Sequence, residues 1–118
     1  MTSVLLVEDD WLIATDHARI LCEAGYLVVG PFATVERALA AIDQEHIDVA
    51  FLDIELRIQK SYAVAERLQQ LAIPFVYISG HDIRDLPDSI RARQLLSKPV
   101  ESARLLIAAQ RLAQTAIA

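Results

Sequence analysis

Five short apolar runs, separated by longer amphipathic stretches, limit what this chain can become more than any other feature. The runs are Val4-Leu5-Leu6-Val7, Tyr26-Leu27-Val28-Val29-Gly30-Pro31, Val49-Ala50-Phe51-Leu52, Phe75-Val76-Tyr77-Ile78 and Gln94-Leu95-Leu96-Ser97. They are continuously apolar rather than alternating, as strands buried on both faces are. The stretches between them carry helical spacing. Ile13, Ala14, Ala18 and Leu21 share one face, and Gly25 follows as a stop. Thr34 is placed to cap a second helix, in which Val35, Ala38, Leu39 and Ile42 keep the i, i+3, i+4, i+7 rhythm. A polar loop through Arg57 and Lys60 leads to a third helix with Val64, Leu68 and Leu71. Pro87 and scattered charges allow only a short or irregular fourth helix in 81–93. Pro99 suits the first turn of a last helix, with Leu105, Leu106, Ala109, Leu112 and Ala113 inward. Strands alternating with helices make right-handed βαβ units and a parallel sheet. The expected fold is therefore a small, doubly wound, three-layer α/β domain with helices on both faces.

Length and charge narrow the function. At 118 residues one domain is expected, spanning 1–118 with no output domain. A (β/α)₈ barrel needs roughly 250 residues. The formal net charge of −5 argues against direct nucleic-acid binding, which is mostly a lysine and arginine effect. The single cysteine, Cys22, cannot form an internal disulfide and fits a reducing compartment. The start lacks the basic residues and the apolar stretch of about 7–15 residues of a signal peptide. The longest charge-free run, 68–80, is too short for a membrane helix, which takes about 18 apolar residues. A cytoplasmic location with no membrane partner is the expectation. A dinucleotide site is excluded, because no Gly-x-Gly-x-x-Gly follows the first strand.

In a parallel sheet the ligand site lies beyond the carboxyl ends of the strands, where strand order reverses. Glu8, Asp9 and Asp10 follow the first run, Asp53 ends the third, Ser79 follows the fourth, and Lys98 and Pro99 follow the fifth. Two like charges ~4 Å apart repel by about 4 kcal/mol at an effective dielectric of ~20. Several carboxylates gathered at one edge therefore require a cation. Lys98 is one, and an all-oxygen donor set suits Mg²⁺. A carboxylate between a metal ion and a lysine describes a phosphoryl-transfer site in which Asp53 is the nucleophile.

Val4-Leu5-Leu6-Val7-Glu8-Asp9-Asp10, Phe51-Leu52-Asp53-Ile54, Ile78-Ser79-Gly80 and Ser97-Lys98-Pro99 occur in order, each at a predicted strand end. With these four pieces the chain resembles the receiver domain of two-component response regulators over essentially its whole length. The resemblance implies a flavodoxin-like sheet in order 2-1-3-4-5. It implies that Asp53 accepts a phosphoryl group from a kinase phosphohistidine and that the chain is a regulator rather than an enzyme. Asp9 would bind Mg²⁺ directly, Glu8 mainly through water, and the backbone carbonyl of Glu55 would complete the metal site with Asp53. Ser79 would be the switch hydroxyl, Lys98 would contact the phosphoryl group, and the Lys98–Pro99 peptide would be cis. The stretch Tyr77-Ile78-Ser79-Gly80, followed closely by Leu96-Ser97-Lys98-Pro99, is similar to receivers serving HWE-class histidine kinases. The implied partners are a sensor histidine kinase and a downstream regulator, with a homodimer left open. Arg91, Arg93, Arg104 and Arg111 are candidate partner-facing residues.

Three places depart from the family pattern. Leu95 stands where many receivers carry an aromatic switch residue. Arg57 and Ser61 replace the usual proline and glycine after the acceptor. Ser79 and Lys98 lie closer together than in chemotaxis-type receivers. Leu95 and the altered loop keep a second reading in play, a pseudo-receiver interaction module that works without phosphorylation. Glu55 and His81, each two residues beyond a site residue, are candidate modulators of phosphoryl lifetime, as Leu95 is of output. Trp11 is read either as a packing residue of the first helix or as a lid over the metal edge. His17 and His46 are expected to be solvated or partly buried.

Overall fold

The apolar runs form one five-stranded parallel sheet in order β2-β1-β3-β4-β5, the order expected from the resemblance. The computed structural model describes residues 1–80 and 95–117. The strands are β1 (Ser3–Val7), β2 (Leu27–Phe32), β3 (Val49–Asp53), β4 (Phe75–Ser79) and β5 (Leu95–Ser97). The helices among the described residues are α1 (Trp11–Glu23), α2 (Val35–Gln44), α3 (Tyr62–Gln70) and α4 (Ser102–Ile117). The short helix expected in 81–93 lies outside the described residues. No helix among the described residues is long and apolar enough to cross a membrane.

Successive strand residues point to opposite faces, and the core divides accordingly. Leu5, Val7, Ala50 and Leu52 pack with Val35, Ala38 and Ile42 of α2 and with Val64, Ala65 and Leu68 of α3. Val4, Leu6, Val49 and Phe51 pack with Ile20 and Leu21 of α1 and with Leu105, Ala108, Ala109 and Leu112 of α4. The sheet is thus covered on both sides, and β1, β3 and β4 are buried along their full length. The expectation of full burial fails for β2 and β5. Each is an edge strand with one neighbour, so part of its surface meets solvent.

Local chemistry sets the element boundaries. Asp10 caps α1, its Oδ1 accepting from the Leu12 and Ile13 N–H groups at 3.0 and 3.2 Å. Thr34 Oγ1 caps α2 through the Arg37 N–H at 3.3 Å. Gly25, just past α1, has φ +95°, a conformation that L side chains rarely adopt. Gly30 is more constrained: its φ is +108°, and a Cβ there would lie 2.8 Å from the Leu6 carbonyl oxygen. It sits where the β1–β2 register shifts.

Two helix boundaries differ from expectation. Pro99 is not in the first turn of the last helix. It follows a cis Lys98–Pro99 peptide, and α4 starts three residues later at Ser102. Leu71 falls just beyond α3 and is exposed. The loop after β3 is more ordered in form than its sequence suggested. Leu56 N–H donates to the Gln59 carbonyl at 3.1 Å and Ser61 N–H to the Ile54 carbonyl at 3.0 Å. Glu55 and Lys60 pair across it as an antiparallel bridge and as an ion pair. The result is a tight hairpin with Arg57 and Ile58 at its tip, Ile58 being 89% exposed.

Candidate functional site

Sheet topology decides which side chains meet. β1 and β3 are neighbours, with Val7 opposite Leu52. The next residues, Glu8 and Asp53, therefore leave the sheet side by side. β4 pairs with β3 through Asp53 and Ile78, which carries Ser79 to the same edge. β5 pairs with β4 through Ser79 and Ser97, and the Lys98 N–H donates to the Ser79 carbonyl at 2.8 Å. The connection from β1 runs outward to β2 and the connection from β3 runs the other way to β4, so this edge is the topological switch point.

Glu8, Asp9 and Asp53 each place a carboxylate oxygen within 4.8 Å of the other two. The Lys98 ammonium stands among them, with Nζ 3.0 Å from Asp53 Oδ2 and 2.9 Å from Glu8 Oε1. Two backbone N–H groups hold the acids. Glu55 N–H donates to Asp53 Oδ1 at 3.2 Å, and Asp10 N–H donates to Glu8 Oε2 at 3.1 Å. Glu8, Asp53 and Ser79 are 2%, 3% and 1% exposed. Asp9 is half-buried and opens the cluster to solvent.

The electrostatics are unbalanced, with three carboxylates facing one ammonium. Burial pushes the Glu8 carboxyl up to about 7, helped by Asp53 and opposed by Lys98 and the Asp10 N–H. Burial also draws the Lys98 ammonium down. The combined hydrogen bonds and charges of Glu8 and Asp53 outweigh it and hold Lys98 above the usual lysine value. The donor set is all oxygen and carries surplus negative charge, which fits a hard divalent cation.

Most of the residues expected at this edge meet there, and the exceptions are informative. Asp10 does not join the cluster, because its carboxylate is turned to the first amides of α1. Leu95 pairs with Tyr77 and packs, half-buried, against the α2–α3 side of the core. Trp11 does not pack into the helix face. It is 73% exposed and lines a groove of about 300 Å³ with Asp9, Asp10, Leu12 and Arg57. His46 lies elsewhere, its Nε2 2.7 Å from Asp48 Oδ1. Arg104 and Arg111 flank a shallow hollow on α4 with Leu96, Ile107 and Ala108. His81, Arg91 and Arg93 lie outside the described residues.

His17 was expected to be at least partly solvated, and the structure corrects this. It is 3% exposed, and its Nδ1 has no hydrogen-bond partner among the described residues. Burial lowers its basicity, the nearby Lys98 charge lowers it further, and Asp16 partly opposes both. It lines a pocket of about 320 Å³ with Leu12, Ile13, Asp16, Lys98, Pro99 and Val100. The signal was present in the spacing: residue 17 lies three after Ala14 and four before Leu21, both buried.

Comparison with known proteins agrees with this geometry. A sequence model described as the response regulator receiver domain matches residues 4–110. An uncharacterized response regulatory protein of Vibrio cholerae serotype O1 is 30% identical over 117 residues, covering 95% of this chain and 48% of that protein. The chain therefore spans about half the length of that curated relative. The solution structure of SdrG from Sphingomonas melonis Fr1 is 36% identical, with a TM-score of 0.82 over 95% of this chain and 96% of that one. The BeF3-activated conformation of SdrG from Pseudomonas melonis Fr1 is also 36% identical, with a TM-score of 0.82 over 94% and 95% of the two chains. A CheY-like receiver domain from Methanospirillum hungatei JF-1 shares the fold, with a TM-score of 0.88 at 24% identity over 99% and 97%.

Proposed function

The chain belongs to the response regulator receiver domain family, and from that premise we propose that it is a phosphoacceptor signalling switch with Asp53 as the acceptor. The observation that carries the proposal is the Asp53 carboxylate, buried between the Lys98 ammonium and the acids Glu8 and Asp9. A carboxylate oxygen of Asp53 attacks the phosphorus of a phosphohistidine. The new P–O bond forms as the P–N bond breaks, and the electron pair leaves on the imidazole nitrogen, which takes a proton from solvent. Lys98 sits where it can offset charge on the transferred phosphoryl oxygens, and the Ser79 hydroxyl leaves β4 beside them. The Glu55 N–H holds one Asp53 oxygen and so orients the carboxylate.

Glu8, Asp9 and Asp53, with the Glu55 backbone carbonyl, are the groups that would hold Mg²⁺. When bound, the ion supplies positive charge against the phosphoryl oxygens and relieves the repulsion among the carboxylates. SdrG, the relative with 36% identity, has a BeF3-activated conformation, which supports the switch reading. The similarity to SdrG is also compatible with a histidine kinase of the HWE class as donor. The partners in this reading are that kinase and a downstream regulator, met in the cytoplasm.

The test is intact-mass measurement after incubation with Mg²⁺ and acetyl phosphate. A labile phosphoryl adduct that is absent in Asp53→Asn is expected. Leu95, where an aromatic residue would couple to Ser79, favours one alternative, an interaction module independent of phosphate. Absence of an adduct, with a small donor and with a kinase alike, would establish that alternative.

A further inference from the structure

The groove beside the acidic cluster has a composition that the acceptor chemistry does not use. Trp11, the only tryptophan in the chain, stands 73% exposed at its wall. Arg57, carried to the hairpin tip by the Glu55–Lys60 pairing, forms part of the same lining. Its guanidinium has no partner among the described residues. Asp9 belongs both to this groove and to the trio that includes Asp53, so the groove borders the site. Its volume of about 300 Å³ equals roughly ten waters at their liquid share of ~30 Å³ each, enough for a small ring.

We propose that this groove is a subsite for the leaving group of the phosphodonor and that it selects heteroaromatic phosphoramidates, such as a phosphorylated imidazole, over acyl phosphates. The inference rests on the phosphoacceptor reading above. In an in-line displacement the leaving atom departs on the side of phosphorus away from the attacking oxygen. The leaving group therefore lies outside the buried cluster, toward the rim that Asp9 shares with the groove. An imidazole is planar and becomes cationic on protonation. The face of Trp11 attracts such a ring. A departing carboxylate has no ring to stack. Arg57 acts differently: its charge attracts the phosphoryl oxygens that every donor carries. Trp11 is thus the specificity-determining residue, and Arg57 is a general attractor.

The test compares labelling rates of Asp53 with phosphoimidazole and with acetyl phosphate, both with Mg²⁺, read by intact mass. Trp11→Ala is expected to slow phosphoimidazole about three- to tenfold and acetyl phosphate less than about twofold. Trp11→Phe, which keeps a ring, is expected to retain most of the preference. Arg57→Ala is expected to slow both donors by a similar factor, and that loss is expected to shrink as salt is raised. Trp11 and Arg57 are exposed, so the variants are expected to fold. In Asp53→Asn, which cannot be phosphorylated, phosphoimidazole is expected to quench Trp11 fluorescence at concentrations where acetyl phosphate does not. An unchanged donor ratio in Trp11→Ala, or equal quenching by both compounds, overturns the subsite alone. Failure of both donors and of a histidine kinase to label the unaltered chain overturns the phosphoacceptor reading, and the subsite with it.

Discussion

Glu8→Gln is expected to stabilise the metal-free protein, and by an amount that depends on pH. The Glu8 carboxyl is buried beside Asp53, and its pKa rises from 4.5 to about 7. At ~1.36 kcal/mol per pKa unit, ionised Glu8 is about 3 kcal/mol costlier in the folded chain than in the unfolded one. The sign follows from proton counting. Between 4.5 and about 7 the folded chain holds the proton that the unfolded chain has released. Stability is therefore greatest below 4.5 and is lost as pH rises through about 7. Lys98, held above its ordinary 10.5, keeps its charge throughout this window and adds no slope. Glutamine is a neutral stand-in for the protonated acid and retains an oxygen for the Asp10 N–H.

The measurement is urea unfolding of both proteins in chelator from pH 4 to pH 8. The stability difference is expected to be near zero at pH 4, about 1 kcal/mol at pH 5 and about 3 kcal/mol at pH 8. With an m-value near 2 kcal/mol/M, the last figure is a midpoint shift of roughly 1.5 M. Taking the difference between two proteins cancels the titrating groups that do not interact with Glu8, His17 included. A difference that is constant with pH, or a glutamine variant less stable at pH 8, would refute the argument. The first result would mean that Lys98 balances the burial of Glu8, and the second that it more than compensates for it.

The cation argument predicts that Mg²⁺ raises the unfolding free energy at pH 8 by about 2.7 kcal/mol at a concentration near 100 Kd. The effect should be much smaller at pH 5, where protons compete for the carboxylates, and lost in Asp9→Asn, as followed by unfolding with and without chelator. The lowered basicity of His17 predicts the opposite slope from that of Glu8. The unfolded chain takes a proton below 6.5 that the buried imidazole refuses, so stability falls as pH drops. In a Glu8→Gln background, His17→Leu should flatten that acid limb, and an unchanged limb would assign it elsewhere. Asp10→Ala should cost about 1 kcal/mol through the lost cap of α1 while leaving Asp53 labelling by acetyl phosphate within about twofold, since Asp10 turns away from the cluster. A large loss of labelling would return Asp10 to the site.

The parts of the fold legible in advance are those where one physical signal acts alone. β1, β3 and β4 are continuous apolar runs because helices cover both their faces, and each ends where a polar or charged residue must leave the sheet. Glu8, Asp53, Ser79 and Lys98 could therefore be placed by counting. Where two signals compete, the sequence leaves alternatives open or misleads. Asp10 is an acid next to acids and also a good N-cap, and the unpaired amides of α1 claimed it. His17 is polar by type but lies in the buried stripe of α1, and packing prevailed. Trp11 is apolar by type but stands exposed at the start of α1. The hairpin after β3 carries no Asn-Gly or similar turn signal. It forms through the pairing of Glu55 with Lys60, which only the folded chain brings together.

The unbalanced charge at this edge follows from strand order. With β2 at the outside, the chain leaves β1 in one direction and returns beside it as β3 from the other. Their carboxyl ends are therefore forced together. Whatever those ends carry must share one small volume. In this chain they carry Glu8, Asp9 and Asp53, and the fold cannot separate them without breaking the Val7–Leu52 register. Lys98 arrives from β5, two strands from β3, and reaches both Glu8 and Asp53. It ties the far edge of the sheet to its switch point. A negative group added to Asp53 would compete with Glu8 for that single ammonium. The resulting pull would act on the backbone where the Lys98 N–H meets the Ser79 carbonyl. That β4–β5 junction joins the residue that pairs with Asp53 to the far edge of the sheet.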